Sequence, residues 1–195
     1  MTAVTAVVLA AGSSRRLGSP KQLLPYRNTT LLGATLAAVR RCGLPQNIVT
    51  LGGAARSVRE SVDLTGFEVV QVEEFGAGCA ASLRAALPAV RPDAAGIVLA
   101  LGDQPELPVR TVRALLDVRD RAPIVVCHYR DGDGHPFWLR RSVFADLAAL
   151  HGDKAVWKLV ESGRVEVGRL EIDARVPLDV DTWEDYRRLL AAESA

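Results

Sequence analysis

The chain has 195 residues, 49% of them hydrophobic, and its 24 basic and 23 acidic side chains leave a formal net charge of +1. That length suits one domain able to bury roughly 70% of the surface its unfolded form exposes, and the balanced charge excludes the long-range field that recruits nucleic acid or an anionic membrane. Cys42, Cys79 and Cys127 stand far apart without Cys-x-x-Cys or Cys/His ligand spacing, which argues against a disulfide framework or structural zinc and for a reducing, cytoplasmic setting.

The first predicted element is a strand at 6–9, Ala-Val-Val-Leu, a continuous apolar run of the kind buried in a parallel sheet. No basic segment precedes it, so it reads as a strand and not a signal peptide, and no apolar run is long enough for a membrane-spanning helix. It leads straight into Ala10-Ala11-Gly12-Ser13-Ser14-Arg15-Arg16-Leu17-Gly18-Ser19-Pro20-Lys21. Gly12 and Gly18 let the backbone bend and present amide N–H groups, while Arg16 and Lys21 add positive charge where those amides converge. The loop therefore reads as a cradle for a polyphosphate. Five residues separate Gly12 from Gly18 and Lys21 comes later, which excludes a P-loop, and the absence of Gly-x-Gly-x-x-Gly excludes a dinucleotide fingerprint.

Apolar residues at helical spacing (Leu32, Leu36, Val39) predict a helix over 31–42, stopped by Gly43-Leu44-Pro45. A strand at 47–51 completes a βαβ unit. A helix near 54–62, a strand at 67–72 and a helix over 81–90, introduced by Gly76-Ala77-Gly78, form a second cycle. The strand at 96–101 is the most apolar and belongs at the centre of the sheet, with Gly102-Asp103-Gln104-Pro105 at its carboxyl end. A helix over 108–119, a strand at 123–128, a tight turn at 131–134 and an extended segment at 135–139 follow. Helices over 142–150 and 155–162, a short strand at 166–173 and a helix over 183–192 complete the chain. Strands alternating with helices predict an α/β fold: a three-layer, open, mostly parallel sheet with helices on both faces, Rossmann-like, binding ligands outside the strands' carboxyl ends. The cationic loop and Asp103 both fall there.

A carboxylate at the end of a central strand, opposite a triphosphate cradle, suits Mg2+, which takes few protein carboxylates, several waters and the substrate's own phosphates. Asp103 is thus a candidate metal ligand, an Asx-type turn that ends the strand being the other reading. Asp181, followed three residues later by Glu184, has the form of a helix capping box.

The loop resembles the signature of the molybdenum cofactor nucleotidyltransferases and their wider MobA-like relatives, Leu-Ala-Ala-Gly-x-Ser-x-Arg-x-Gly-x-x-Lys. It matches at every fixed position: Leu9, Ala10, Ala11, Gly12, Ser14, Arg16, Gly18 and Lys21. The resemblance implies that this loop wraps the triphosphate of an incoming nucleotide, that Asp103, in a matching Gly-Asp-Gln-Pro motif, binds the metal, and that Arg16, Lys21 and Asp103 are catalytic. It implies that Gly78 and Ser82, in a segment similar to the family's Gly-Met-x-x-Ser-Leu, lie beside the base and ribose; Ser82 is alternatively the N-cap of the following helix. Asp181 matches the acid before Thr in the family's Asp-x-Asp-Thr-Pro-Glu-Asp, which sets a metal contact beside the capping reading, with Trp183 in place of the proline. Gly134-His135-Pro136 resembles a turn facing the acceptor, so His135 is a candidate acceptor contact or a hydrogen-bonded turn histidine. Ala10-Ala11-Gly12, as in relatives that use CTP, implies a pyrimidine, the Ala11 methyl narrowing the space for a purine. Gly152-Asp153 opens the family's Gly-Asp-x-Gly-Ala-Arg, but Ala155, Val156 and Trp157 stand where Gly-Ala-Arg is usual, so an acceptor-side arginine is missing unless Lys154 or Lys158 replaces it.

The implied activity is Mg2+-dependent nucleotidyl transfer, favouring CMP from CTP onto a molybdopterin-type cofactor with release of pyrophosphate. A molybdoenzyme would be the client, with neither nucleic acid nor membrane as partner. Three alternatives remain: a transferase acting on another small phosphorylated acceptor (a sugar phosphate, an isoprenoid precursor or phospholactate), a non-catalytic carrier that serves a client enzyme, and a reductase on the same scaffold.

Overall fold

The computed structural model describes residues 3–193. In chain order they form β1 (Ala3–Ala10), β2 (Pro25–Tyr26), β3 (Thr29–Thr30), α1 (Leu31–Arg40), β4 (Gln46–Leu51), α2 (Ala55–Ser61), β5 (Glu68–Gln71) and α3 (Cys79–Ala86). There follow β6 (Ala94–Leu101), α4 (Val109–Asp117), β7 (Ile124–Tyr129), β8 (Gly132–Arg140), α5 (Phe144–Ala148), α6 (Ala155–Glu161), β9 (Val167–Ile172) and α7 (Trp183–Glu193).

The seven-stranded sheet runs β5-β4-β1-β6-β8-β7-β9, which puts β6 at its centre as its apolar run requires. Alternate residues of β1 enter opposite cores, because successive side chains of a strand point to opposite faces. Val4, Ala6, Val8 and Ala10 pack with Leu32, Leu36 and Val39 of α1, Val58 of α2 and Leu115 of α4. Val7 packs with Leu83 and Ala86 of α3, Leu147 of α5 and Leu159 of α6. Helices therefore cover both faces of a three-layer α/β architecture. A third apolar cluster joins Leu17 of the cationic loop, Leu24, Tyr26 and Leu31 to Val180 and Leu189, and so fastens α7 beside that loop.

β1 pairs in parallel with β4 on one side and β6 on the other, so the chain reverses its direction of travel across the sheet between β1 and β6. A crevice opens at such a switch point. One local expectation needs correction. The turn expected at 131–134 is tighter and earlier: Tyr129 pairs with Gly132, so Arg130 and Asp131 alone make the bend and the Gly-Asp-Gly run is already strand. β8 then inserts antiparallel between β6 and β7. The β2–β3 ribbon and the 3-10 turn Lys21–Leu23 lie below the length at which hydrophobic periodicity is readable.

Leu36 is fully buried against β1. Leu36→Ala is expected to cost about 2–5 kcal/mol of unfolding free energy by denaturant titration, through lost apolar burial and the cavity left behind.

Candidate functional site

The site begins where β1 and β6 end. The backbone N–H of Gly102 donates to the Leu9 carbonyl oxygen at 2.9 Å, extending the β1–β6 ladder by one more bond. The Thr35 hydroxyl donates to the Gly102 carbonyl at 3.3 Å and ties α1 to the same point. A Cβ at Gly102 would stand 2.7 Å from the Ala10 Cβ and 3.1 Å from the Leu9 carbonyl oxygen, so this approach needs glycine. Asp103 is thereby presented at the crevice, directly opposite the loop that leaves β1.

The loop is held by side chains as well as by its own turn. The Ser14 hydroxyl accepts from the Lys21 backbone N–H at 3.0 Å. Gln22, 4% exposed, donates through Nε2 to the Ala10 carbonyl at 2.7 Å and the Gly12 carbonyl at 3.0 Å. Gln22 was not among the expected site residues, although a polar residue between Lys21 and the apolar Leu23-Leu24 pair is the signal that could have found it. Ser14 and Gly18 take positive φ, 51° and 67°, whereas Gly12 is not among the positive-φ residues. At Gly12 an added Cβ would meet only the Lys21 Cε, at 4.0 Å, so the absent side chain leaves the cradle open.

Lys21 is the point on which the site closes. Its Nζ donates to Asp103 Oδ2 at 2.5 Å and to Asp181 Oδ1 at 2.8 Å, and Arg16 reaches the other Asp181 oxygen at 2.8 Å. The side chains of Lys21 and Asp103 are 15% and 13% exposed, so their pairing is little screened. Burial alone would lower the Lys21 pKa, but the Asp103 and Asp181 carboxylates outweigh it and hold the ammonium above its ordinary value. Burial likewise pushes Asp181 up, yet its bonds to Lys21 and Arg16 leave it below the usual carboxylate range.

Asp181 is not the helix cap. Asp185 accepts from the backbone N–H groups of Asp181 and Thr182, and the Thr182 hydroxyl accepts from the Asp185 N–H at 3.2 Å. The capping box is therefore Thr182–Asp185, one residue later than expected, and it leaves the Asp181 carboxylate free to face the cleft. Asp103 is no Asx turn either, since the backbone donor such a turn needs would come from residue 105, a proline, and its carboxylate bonds to Lys21 instead. Ser82 sits in the body of α3, whose N-cap is Gly78, so the capping reading fails for it as well.

A cleft of about 560 Å³ is lined by Leu9, Ala10, Ala11, Gly12, Ser14, Arg16, Lys21, Gly78, Ser82, Asp103 and Asp181. Gly18 lies outside that lining and shapes the turn instead. Ala11 is 2% exposed and packs with Val72 and Ala81, which seats the loop backbone against α3. Phe75 and Asp153 also line the cleft, and neither was expected.

Next to this cleft is a second cavity of about 270 Å³, walled by Leu99, Val156, Trp157 and Val176 with His135, Asp133, Gln104 and Asp179. His135 belongs to this cavity and to β8, not to a turn. Its ring stacks on Phe137 with centroids 4.0 Å apart and stands edge-on to Trp157 at 6.2 Å. Burial pushes the His135 imidazole down to about 3, so it is neutral near pH 7. Asp179 keeps some solvent contact, yet burial and then the Asp103 charge push it up to about 6.

Two carboxylates converging on one cationic position are a hard-oxygen donor set that suits a divalent cation of the magnesium type. Among the described residues no group of three or more His, Cys, Asp or Glu could hold a metal, so water and phosphate would have to complete the shell around Asp103 and Asp181. Among the same residues no helix is long and apolar enough to cross a membrane.

The MobA-like NTP transferase domain family matches residues 6–167. Over 96% of both chains the sequence is 31% identical to nicotine blue oxidoreductase of Paenarthrobacter nicotinovorans. It is 24% identical, over 95% of both, to the molybdenum cofactor cytidylyltransferase of Escherichia coli K12. The crystal structure of Rv0371c of Mycobacterium tuberculosis H37Rv in complex with manganese superposes with a TM-score of 0.90 at 57% identity, covering 98% of this chain and 100% of that one.

The His135 shift sets a pH signature. The unfolded chain takes up a proton near pH 6.5 that the folded protein refuses until about 3, so this contribution to stability is complete above 6.5 and drains as pH falls. Between pH 6.5 and about 4.5 Asp179 works in the opposite direction, its contribution growing as pH falls. In that window His135→Asn is expected to retain more of its neutral-pH melting temperature than the wild type; identical pH slopes would contradict a neutral imidazole.

Proposed function

Because the chain belongs to the MobA-like NTP transferase family, we propose that it is a metal-dependent nucleotidyltransferase, one domain in extent, that moves CMP from CTP to a small phosphorylated acceptor. A molybdopterin-type cofactor, with a molybdoenzyme as its eventual client, is the favoured acceptor, supported by the likeness to a molybdenum cofactor cytidylyltransferase. The observation that carries the reading is the meeting of Lys21, Asp103, Asp181 and Arg16 in one cleft with the loop amides. The three free cysteines suit a cytoplasmic setting.

In the proposed reaction an oxygen of the acceptor phosphate forms a bond to the α-phosphorus of CTP. The bond from that phosphorus to the oxygen bridging to the β-phosphorus breaks, and its electron pair leaves with pyrophosphate. The attacking oxygen is already anionic, so the chain needs neither a nucleophile nor a general base, and its work is alignment and charge neutralisation. Lys21 and Arg16 would turn from the carboxylates to the triphosphate. Asp103 and Asp181, released from Lys21, would hold Mg2+, which when bound supplies a Lewis acid for charge on the phosphate oxygens. The second cavity, with His135, would take the body of the acceptor.

Lys21→Ala is expected to lower pyrophosphate release by about a hundredfold or more while the protein stays folded by circular dichroism. The decisive screen measures pyrophosphate from four NTPs against a panel of phosphorylated acceptors. A near-normal rate in Lys21→Ala, or no release from any pair, would contradict the proposal.

The relation to nicotine blue oxidoreductase supports a second reading, a reductase built on the same scaffold. That reading requires flavin or nicotinamide to bind. Visible absorbance of the purified protein and NADH titration separate the two.

A further inference from the structure

The second cavity has a charge problem. Two of its lining residues, Asp133 and Asp179, are carboxylic acids, Asp133 already paired with Arg169 at 3.1 Å, and its histidine is neutral. A phosphorylated acceptor entering there meets apolar walls and repulsion, unless a cation fixes where its phosphate rests. One lining residue carries positive charge: Lys154, which lines this cavity and the nucleotide cleft alike. Lys158, the other candidate to replace the missing arginine, lines neither cavity, and its Nζ donates to the His151 carbonyl at 3.5 Å.

The position of Lys154 is built, not incidental. The Ala80 backbone N–H donates to the Gly152 carbonyl at 3.2 Å and clamps the 152–154 loop onto the start of α3. Gly78, at φ 91°, makes the clamp possible, since a Cβ there would lie 2.6 Å from Asp153 Oδ1 and from the Gly152 carbonyl carbon. Lys154 itself takes a left-handed conformation, φ 56° and ψ 27°, uncommon for a residue with a side chain and frequent at sites where function fixes the backbone.

The second cavity also has a polar residue fixed in its wall. Gln104 is 2% exposed, and its Nε2 is spent on the Pro177 carbonyl at 3.2 Å and Asp179 Oδ1 at 2.6 Å. Those two acceptors fix the amide's orientation, and Gln104 Oε1 is left buried without a partner.

We propose that Lys154 grips the anionic head of the acceptor at the junction of the two cavities, so that the acceptor's attacking oxygen is delivered to the α-phosphate in the cleft. This inference rests on the nucleotidyl-transfer reading. It narrows the acceptor class to molecules with one phosphate at the reacting end and a largely apolar, donor-bearing body, because one cation serves that end and acceptor groups line the rest.

The test uses phenyl phosphate and its uncharged counterpart phenol as probes, titrated calorimetrically into the full chain with and without Mg2+ and a non-hydrolysable CTP analogue. Lys154→Asn removes the charge with a residue that tolerates the left-handed backbone, and Lys154→Arg restores it. The wild type is expected to prefer phenyl phosphate over phenol by about tenfold, Lys154→Asn to lose that preference, Lys154→Arg to regain most of it, and the analogue's affinity to change less than about twofold. An unchanged preference in Lys154→Asn, or a weakened analogue with phenyl phosphate unaffected, would overturn the proposal, the latter by assigning Lys154 to the triphosphate. A wild type without any preference for the phosphate overturns it too. Failure of the analogue to bind the wild type would sink the nucleotidyl-transfer reading instead, and the titration without nucleotide would still decide whether Lys154 holds phosphate.

Discussion

The ammonium of Lys21, held between Asp103 and Asp181, joins the three parts of the chain that make the site: the loop after β1, the end of the central strand β6 and the approach to α7. The two bonds span 82 and 160 residues of sequence. Buried charges are costly unless paired, so the mostly buried Lys21 and Asp103 stabilise each other, and half-exposed Asp181 adds a second partner from the rim. On the proposed function, the same arrangement would let the cleft admit a metal-bound polyphosphate without stranding a charge. A divalent cation would take over the carboxylates as Lys21 and Arg16 turn to phosphate, and every buried ion would keep a counterion.

The rest of the fold serves to hold that junction. Residues of β1 and β6 feed both apolar layers, so the two strands whose ends form the crevice are anchored on both faces of the sheet. Gly102 lets those ends approach, Thr35 ties α1 to them, and the third cluster seats Leu17 of the loop against Val180 and Leu189. Asp181 follows Val180 directly, so the packing of that valine, fully buried, decides where the carboxylate points. The end of β6 presents one carboxylate, and a loop stapled by Gln22 carries the cations.

Much of this was legible in the sequence, because the informative signals were local. The apolar runs of β1 and β6, the glycines and cations between them, and Asp103 at a strand end all follow from short-range patterning, and α/β alternation places their ends together. Three features were not legible. The capping signal reads equally well as Asp181–Glu184 or Thr182–Asp185, and only the pull of Lys21 and Arg16 on Asp181 separates the two registers. The Gly-Asp-Gly run reads as a turn, although pairing with β7 draws it into β8. Gln104 owes its importance to burial and to partners on a distant segment, which no spacing rule reports, and Gln22 left only the faint signal of one polar residue beside an apolar pair.

The central claim is that the loop cations and the two carboxylates act on one metal–nucleotide complex. Calorimetric titration of CTP into wild type and Asp103→Asn, each with and without Mg2+, tests it most directly. Mg2+ is expected to tighten CTP binding to the wild type by about tenfold or more and to have little effect on Asp103→Asn. Equal CTP affinity of the wild type with and without Mg2+, or a full metal effect in the variant, would contradict it.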